Sequence, residues 1–544
     1  MKKILFICSL LLQYTYCLFA ENNWRTHFSY NSVQQIAIDN NEVYALANGK
    51  MFSINQQTEQ LTLFTNFSGL HGVEIVQIAY DKVREQLLIL YADGKMDIMR
   101  NGKIYYIPDL YNKQITLSKR CNNITFQNKV AYLSMDFGIL TFDLEDYKFV
   151  DTYYIAPAAK EIQVIDVMFY GDSIYAKTPN VVYAAHTNDN IVDFRYWHIS
   201  QILPIPFDTK KGKEYISKKG DIWKVADTKG VSRELISGEN VFYLPDGPCV
   251  NTAHRLEVAN GKLYAVPGGR WTTQNNTPGN IMIYENGKWT NITNTYIEQK
   301  TSKKALDFMD VAIDPTNPSR FFVTSFGTGL YEFRDNTFFA HYTTDNSILS
   351  SAAPSDPDKY TRLESVVFDK ENKLWVCVNG NVDTTLVCFF PDGTQRGVNF
   401  YTDSTNRFIF HTSSSLVIDA INTQYKWLVS CRSIPAVALL DDAGTPFNPQ
   451  DDKCKVRTEF YDQDGNVIVP EYYYTLSQAP NGDIWIGSSS GPIIISTDIN
   501  FLQSNQCRRL RINMPDGTNF LDTERVNAFA WDNKENIWIG TQTG

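Results

Sequence analysis

Few residues in this 544-residue chain stand at spacings that chemistry needs. The seven histidines (His27, His71, His186, His198, His254, His341 and His411) form no HExxH and no other close pair. Zinc hydrolysis is therefore unsupported. No GxSxG, no GxxxxGK[ST] and no strand-flanked GxGxxG occurs, and the glycines fall at turns instead. A glycosidase needs two carboxylates roughly 5–10 Å apart. Among 60 Asp and Glu residues the sequence nominates no such pair. No catalytic, metal-binding or cofactor-binding residue is named, no cofactor is expected, and the expectation is a protein that is not an enzyme.

Three segments invite a binding role. Asp462-Gln463-Asp464-Gly465-Asn466 looks like part of a calcium loop but lacks the later ligands and the closing Glu, so it reads as a hairpin turn. Lys210, Lys211, Lys213, Lys218, Lys219, Lys224 and Lys229 form a basic stretch that could receive an anionic glycan or a lipid phosphate. The plainer reading is an exposed loop between strands. Gly268-Gly269-Arg270-Trp271 offers an Arg beside an aromatic, a pairing suited to sugar or peptide recognition, or simply to structural filling.

The composition narrows the partners. Lys and Arg total 50 against 60 acids, a net charge of −10, which leaves no basic footprint for nucleic acid. Lys2 and Lys3 precede the apolar run Ile4–Leu12, and Ala20 stands before Glu21. That is the pattern of a secretory signal over residues 1–20, too short to span a bilayer. Seven cysteines follow (Cys121, Cys249, Cys377, Cys388, Cys431, Cys454 and Cys507), scattered and odd in number. They are not a disulfide framework, although one bridge remains open, with Cys377–Cys388 nearest in sequence.

The elements that would position any site come from a repeat. An alternating apolar strand, an Asp/Asn/Gly turn, an apolar-aromatic strand and a Gly recur. Clear copies run Leu476–Gly487 and Ala528–Gly540, and a third runs Val366–Val376. The second-strand anchors are Tyr44, Leu88, Tyr132, Tyr175, Trp223, Tyr264, Phe322, Trp375, Trp427, Trp485 and Trp538, spaced 41 to 58 residues apart. A unit of roughly 40–50 residues with four short strands is a β-propeller blade. Aromatic content of 13% agrees with β structure. Eleven anchors exceed the usual blade number, so the expected fold is all-β with two tandem propellers. Residues 21–345 would form a seven-bladed first propeller, and 346–544 an incomplete second one.

Two further expectations concern the ends. Trp24-Arg25-Thr26-His27-Phe28-Ser29-Tyr30 and Phe338-Phe339-Ala340-His341-Tyr342-Thr343-Thr344 read as outer edge strands. Each would complete the last blade of the propeller it introduces and so hide an open edge. Gly540-Thr541-Gln542-Thr543-Gly544 stops inside a repeat, which suggests further blades and a β-sandwich beyond it.

The phrase D-x-x-x-N-[IL]-W-[IV]-G resembles the two-component-regulator propeller repeat of Bacteroidetes. Four collinear segments narrow this to a resemblance to the PorZ family of the type IX secretion system. They are Trp24–Tyr30, Thr58-Glu59-Gln60-Leu61, Ser68-Gly69-Leu70-His71-Gly72 and Asp189-Asn190-Ile191-Val192-Asp193-Phe194-Arg195. The resemblance implies export to the outer-membrane-associated cell surface. It implies membership of an attachment complex with the sortase PorU, with PorV and with PorQ, and engagement of anionic lipopolysaccharide. It places no binding motif residue by residue, so ligand-binding residues stay unassigned. The alternative is the periplasmic glycan-sensing region of a hybrid two-component regulator, which shares the repeat.

Overall fold

The computed structural model describes residues 25–217, 219–270, 275–380, 384–398, 412–432, 434–445, 448, 450–515, 517 and 519–544. The expected signal segment, Trp24, Lys218, Trp271 and His411 lie outside the described residues.

The chain is all-β and forms two tandem β-propeller units. Each repeat builds an antiparallel sheet whose strands follow one another in sequence order. All eleven anchor residues fall on the second strand of their sheet, including Trp223 on Ile222–Val225 and Trp427 on Tyr425–Ser430.

Hydrogen bonding explains why Asp precedes Trp in the repeated phrase. Asp369 directly follows the first strand of its sheet. Its Oδ1 accepts from the backbone N–H of Glu371 and of Lys373, both at 2.9 Å, which shapes the turn. Its Oδ2 accepts from the Trp375 indole at 2.8 Å. Asp39 does the same for Glu42 N–H at 2.6 Å and the Tyr44 hydroxyl at 3.1 Å. One carboxylate thus folds the hairpin and satisfies the polar tip of an otherwise apolar ring, which can then be buried.

The glycine closing the phrase allows close approach, as the spacing predicts. A Cβ on Gly487 would lie 2.6 Å from the Val526 carbonyl oxygen, on the inner strand of the next sheet. On Gly327 it would lie 3.0 Å from the Lys359 carbonyl.

Most inner strands open with a register shift. Shifts occur between Val33 and Gln35, Ile75 and Gln77, Phe308 and Asp310, Leu363 and Val366, Ser413 and Ser415, Tyr473 and Thr475, and Val526 and Ala528. These are β-bulges, which re-aim side chains at one end of a strand. The polar residue after the bulge ties one sheet to the next. Gln35 accepts from Ile78 N–H at 3.0 Å, and Asp310 accepts from Val366 N–H at 3.1 Å. Ser415 accepts from Leu476 N–H at 3.1 Å.

The division of the chain corrects the expected boundary near residue 345. Contacts part it into a unit ending at Gly247 and a unit starting at Pro248. Among its described residues the first unit holds five four-stranded sheets, over 33–64, 75–107, 121–153, 166–199 and 214–243, rather than seven. The fifth returns to the first. Trp223, Val231 and Tyr243 share one core with Val33, Ile36 and Phe52, and Ile36 N–H donates to Gly212 C=O. Among its described residues the second unit holds repeats over 255–292, 308–342, 361–398, 413–457 and 473–509, the second and third joined by Phe326–Arg362 pairing, a short hairpin over 460–468, and the hairpin 526–541. The repeat runs through the junction without a change of phrase, so spacing alone could not locate it.

The edge-strand expectation is also corrected. Residues 25–30 form no strand. The fifth sheet takes its outer strand, Asn240–Tyr243, from its own repeat. Thr337–Tyr342 is likewise the fourth strand of the sheet that precedes it in sequence.

Candidate functional site

A convergence of charged and aromatic side chains lies in the second unit. Its six inner strands, Arg255–Ala259, Phe308–Ile313, Thr361–Phe368, Ser413–Ile418, Tyr473–Gln478 and Val526–Trp531, lie side by side in sequence order. Residues at the starts of these strands, and at the ends of the second strands beside them, surround a cavity of about 910 Å³. Six separate repeats contribute to one mouth because the same end of each inner strand is brought to it.

The lining is cationic and aromatic. His254, Arg270, Lys359, Arg362, Arg432 and Arg525 face it, and Asp307 is the only acid among the described lining residues. Phe326, Tyr360, Tyr472 and Tyr474 supply rings. Arg362 lies 5.4 Å from the Phe326 centroid and 4.9 Å from that of Tyr360. Arg525 lies 4.1 Å over Tyr474, whose ring stacks with Tyr472 at 6.1 Å. Stacked guanidiniums keep their in-plane donors directed at a ligand, the arrangement that suits phosphate or carboxylate on a sugar.

Electrostatics below the lining are tightly balanced. Arg270 donates to Glu364 at 2.6 Å, and the Glu364 carboxylate is 3% exposed. Arg255 donates through Nε to Asp310 at 3.0 Å. Burial pushes Glu364 up to about 7, with Asp310 adding to the rise and Arg270 and Arg255 opposing it. Burial and Asp310 also push Glu257 up to about 7. Asp307 is raised to about 6 by burial, although Asn276 and Thr277 N–H groups donate to it. His254 is held below its ordinary value by desolvation and by Arg270 and Arg255, so the mouth keeps it neutral near pH 7.

The segments read from the sequence meet different fates. Gly268 and Gly269 adopt φ of +76° and +142°, and a Cβ on Gly268 would strike the His254 side chain at 2.5 Å. That turn delivers Arg270 to the mouth, while Trp271 lies outside the described residues. The basic stretch is dispersed in the first unit. Lys210 pairs with Glu214, Lys211 with Asp166, and Lys224 with Glu234. Lys219 lines a separate cavity of about 460 Å³ with Lys82 and Tyr80. Asp462 organises a hairpin turn, accepting from Asp464 and Asn466 N–H at 2.9 and 2.8 Å and from Arg511 at 2.6 Å. Cys377 sits opposite Leu386 and Cys388 opposite Trp375, so these two are not a directly opposed pair, and both thiols are free. Among the described residues no cluster of His, Cys, Asp and Glu could hold a metal ion.

Lys359, Arg362, Arg432, Tyr472, Tyr474 and Arg525 were not singled out from the sequence. Their signal was positional. All but Arg432 stand within two residues of the start of an inner strand, a place visible only once the repeats are superposed.

The fold is that of a tandem β-propeller protein, and comparison with known proteins narrows the class. Residues 43–198 match the family model described as the type IX secretion component PorZ, N-terminal β-propeller domain. The structure is similar to that of PorZ from Porphyromonas gingivalis, described as an essential bacterial surface component of the type IX secretion system. The TM-score is 0.82 at 20% identity, covering 95% of this chain and 79% of that one. Residues 43–198 therefore resemble the PorZ N-terminal propeller, and the likeness to the solved structure shows a shared tandem-propeller fold. A protein described as the extracellular domain of a one-component system from B. thetaiotaomicron aligns at TM-score 0.35 and 11% identity, over 96% and 69% of the two chains. No curated protein matches.

Proposed function

We propose that this chain is a non-catalytic surface component of the type IX attachment machinery, which supports the cargo sortase and engages anionic lipopolysaccharide. The observation that carries the ligand part is the mouth of the second unit, where five of the six basic side chains are Arg or Lys and one acid faces them. Burial holds that acid, Asp307, near neutrality at mildly acidic pH, which reduces its repulsion of an anion. Arg–aromatic pairs match a charged sugar better than a bare ion, because rings cover the sugar faces while guanidiniums take the charge. The family match supports placement at the cell envelope, with PorU, PorV and PorQ as the partners to test.

The test measures binding of the purified chain to anionic lipopolysaccharide and to the same lipid stripped of its charged groups. The reading expects binding to the charged form only, weakened at least tenfold by the double substitution Arg362→Ala, Arg525→Ala. Equal affinity for both lipids would overturn the ligand assignment. Sortase support is tested separately, by co-purification with PorU and by cargo processing in cells lacking the chain. Normal processing there would overturn it.

A further inference from the structure

Beneath the mouth lies a group that anion binding alone does not use. Glu364 is buried, one of its oxygens accepts from Arg270 at 2.6 Å, and the other, Oε2, has no hydrogen-bond partner. Arg270 lines the cavity above while bonding this carboxylate below. The same guanidinium is therefore open to competition between a fixed buried anion and an incoming one. A buried carboxylate that loses its cation is costly to keep ionised. We infer that anion capture at the mouth draws Arg270 off Glu364, and that one proton taken up by the buried carboxyl replaces the lost guanidinium charge. This rests on the reading of the mouth as an anion site and adds its regulation.

The surroundings of Glu364 agree. From the first inner strand of this unit Arg255 faces it, Glu257 shares Arg255 with it, and His254 stands just before that strand. Asp310 comes from the second inner strand, Cys377 from the strand paired with that of Glu364, and Cys431 from the next sheet. Both thiols are raised by burial and stay neutral. His254 is lowered and carries no proton to give near pH 7. Arg255 is engaged by Asp310. The carboxyls already pushed up to about 7, Glu364 and Glu257, are the groups able to accept a proton there. Asp307 titrates lower, at about 6, and so acts in a separate pH window.

The probe is sulfate, which keeps its full charge between about pH 5.5 and about 8.5, so any pH dependence belongs to the protein. Sulfate is titrated calorimetrically into the full chain across that range, in buffers of different ionisation enthalpy, which counts protons directly. The expected result is uptake approaching one proton near pH 7.5, and affinity falling by up to about tenfold per pH unit above pH 7. Glu364→Gln removes the competitor, so it should bind tighter at high pH and lose that slope. Asp307→Asn should raise affinity above about pH 6, where the carboxylate is ionised, and leave the slope above pH 7 in place. Sulfate binding with no proton uptake and no slope would overturn the coupling and leave the anion site standing. No sulfate binding at any pH would overturn the anion site itself and the coupling with it. Proton uptake on the unaltered chain decides the matter even if Glu364→Gln fails to fold.

Discussion

At the residue scale, the repeated Asp carries more than turn propensity. Asp369 serves two backbone N–H groups and the Trp375 indole at once, and Trp375 is 1% exposed. Replacing Asp369 with Ala leaves a buried indole N–H unpaired and loosens the turn. The expected loss is about 1–3 kcal/mol in urea unfolding. Trp375→Ala should cost more, about 3–5 kcal/mol, since it also empties a core shared with Leu416 and Leu428. Equal costs for the two would mean that the ring, rather than its tether, contributes little. This motif was legible in the sequence because its atoms are close along the chain. Arg362 and Arg525 were not, because what makes them neighbours of one cavity is separated by 163 residues.

At the element scale, the seams between sheets are held by the opening bulge and the closing glycine. Gly487 lets the tenth sheet meet the inner strand of the eleventh. Gly487→Val puts its side chain against the Val526 carbonyl and the Thr475 side chain, which stand 2.6 and 2.7 Å from where a Cβ would sit. Loss of amide protection confined to 473–509 and 526–541 is the expected outcome in hydrogen exchange, and protection unchanged there would sink this account of the seam. The regular phrase reveals each sheet, strand by strand, because hairpins are local. It does not reveal that the outer strand of the fifth sheet comes from Asn240–Tyr243 and not from residues 25–30. Both segments have edge-strand character, and only packing chooses between them.

At the scale of the molecule, two properties can be tested. In the first unit the fifth sheet shares a core with the first, returning from Trp223 to Val33. A fragment of residues 25–247 should therefore unfold as one cooperative transition, followed by Trp fluorescence. A broad, non-cooperative melt would mean that the unit needs the rest of the chain. The second property is pH dependence. Glu257 and Glu364 are raised to about 7, and Asp307 and Asp452 to about 6, mainly by burial. A carboxyl raised on folding binds its proton more tightly in the native state, so its stabilisation is complete below the ordinary carboxylate range. It is lost as pH rises through the raised value. His254 and His341 work in the opposite direction, because their lowered values favour the native state at higher pH. Four groups against two predict that the second unit loses stability between about pH 5 and about pH 7, read as a falling urea midpoint.

The amino-acid order by itself determined the all-β class, the eleven repeat units and the second-strand position of every anchor. Those features depend on alternation and turn chemistry within some ten residues, which neighbouring side chains dictate. Where one ring of sheets ends and the next begins was decided by the tertiary structure, at Gly247 and Pro248. So was the meeting of His254, Arg270, Arg362 and Arg525 around one cavity. Closure depends on which sheets bury each other's faces, and the convergence on strand ends brought to a common mouth. Neither contact leaves a local signal, because its partners are joined only through the fold.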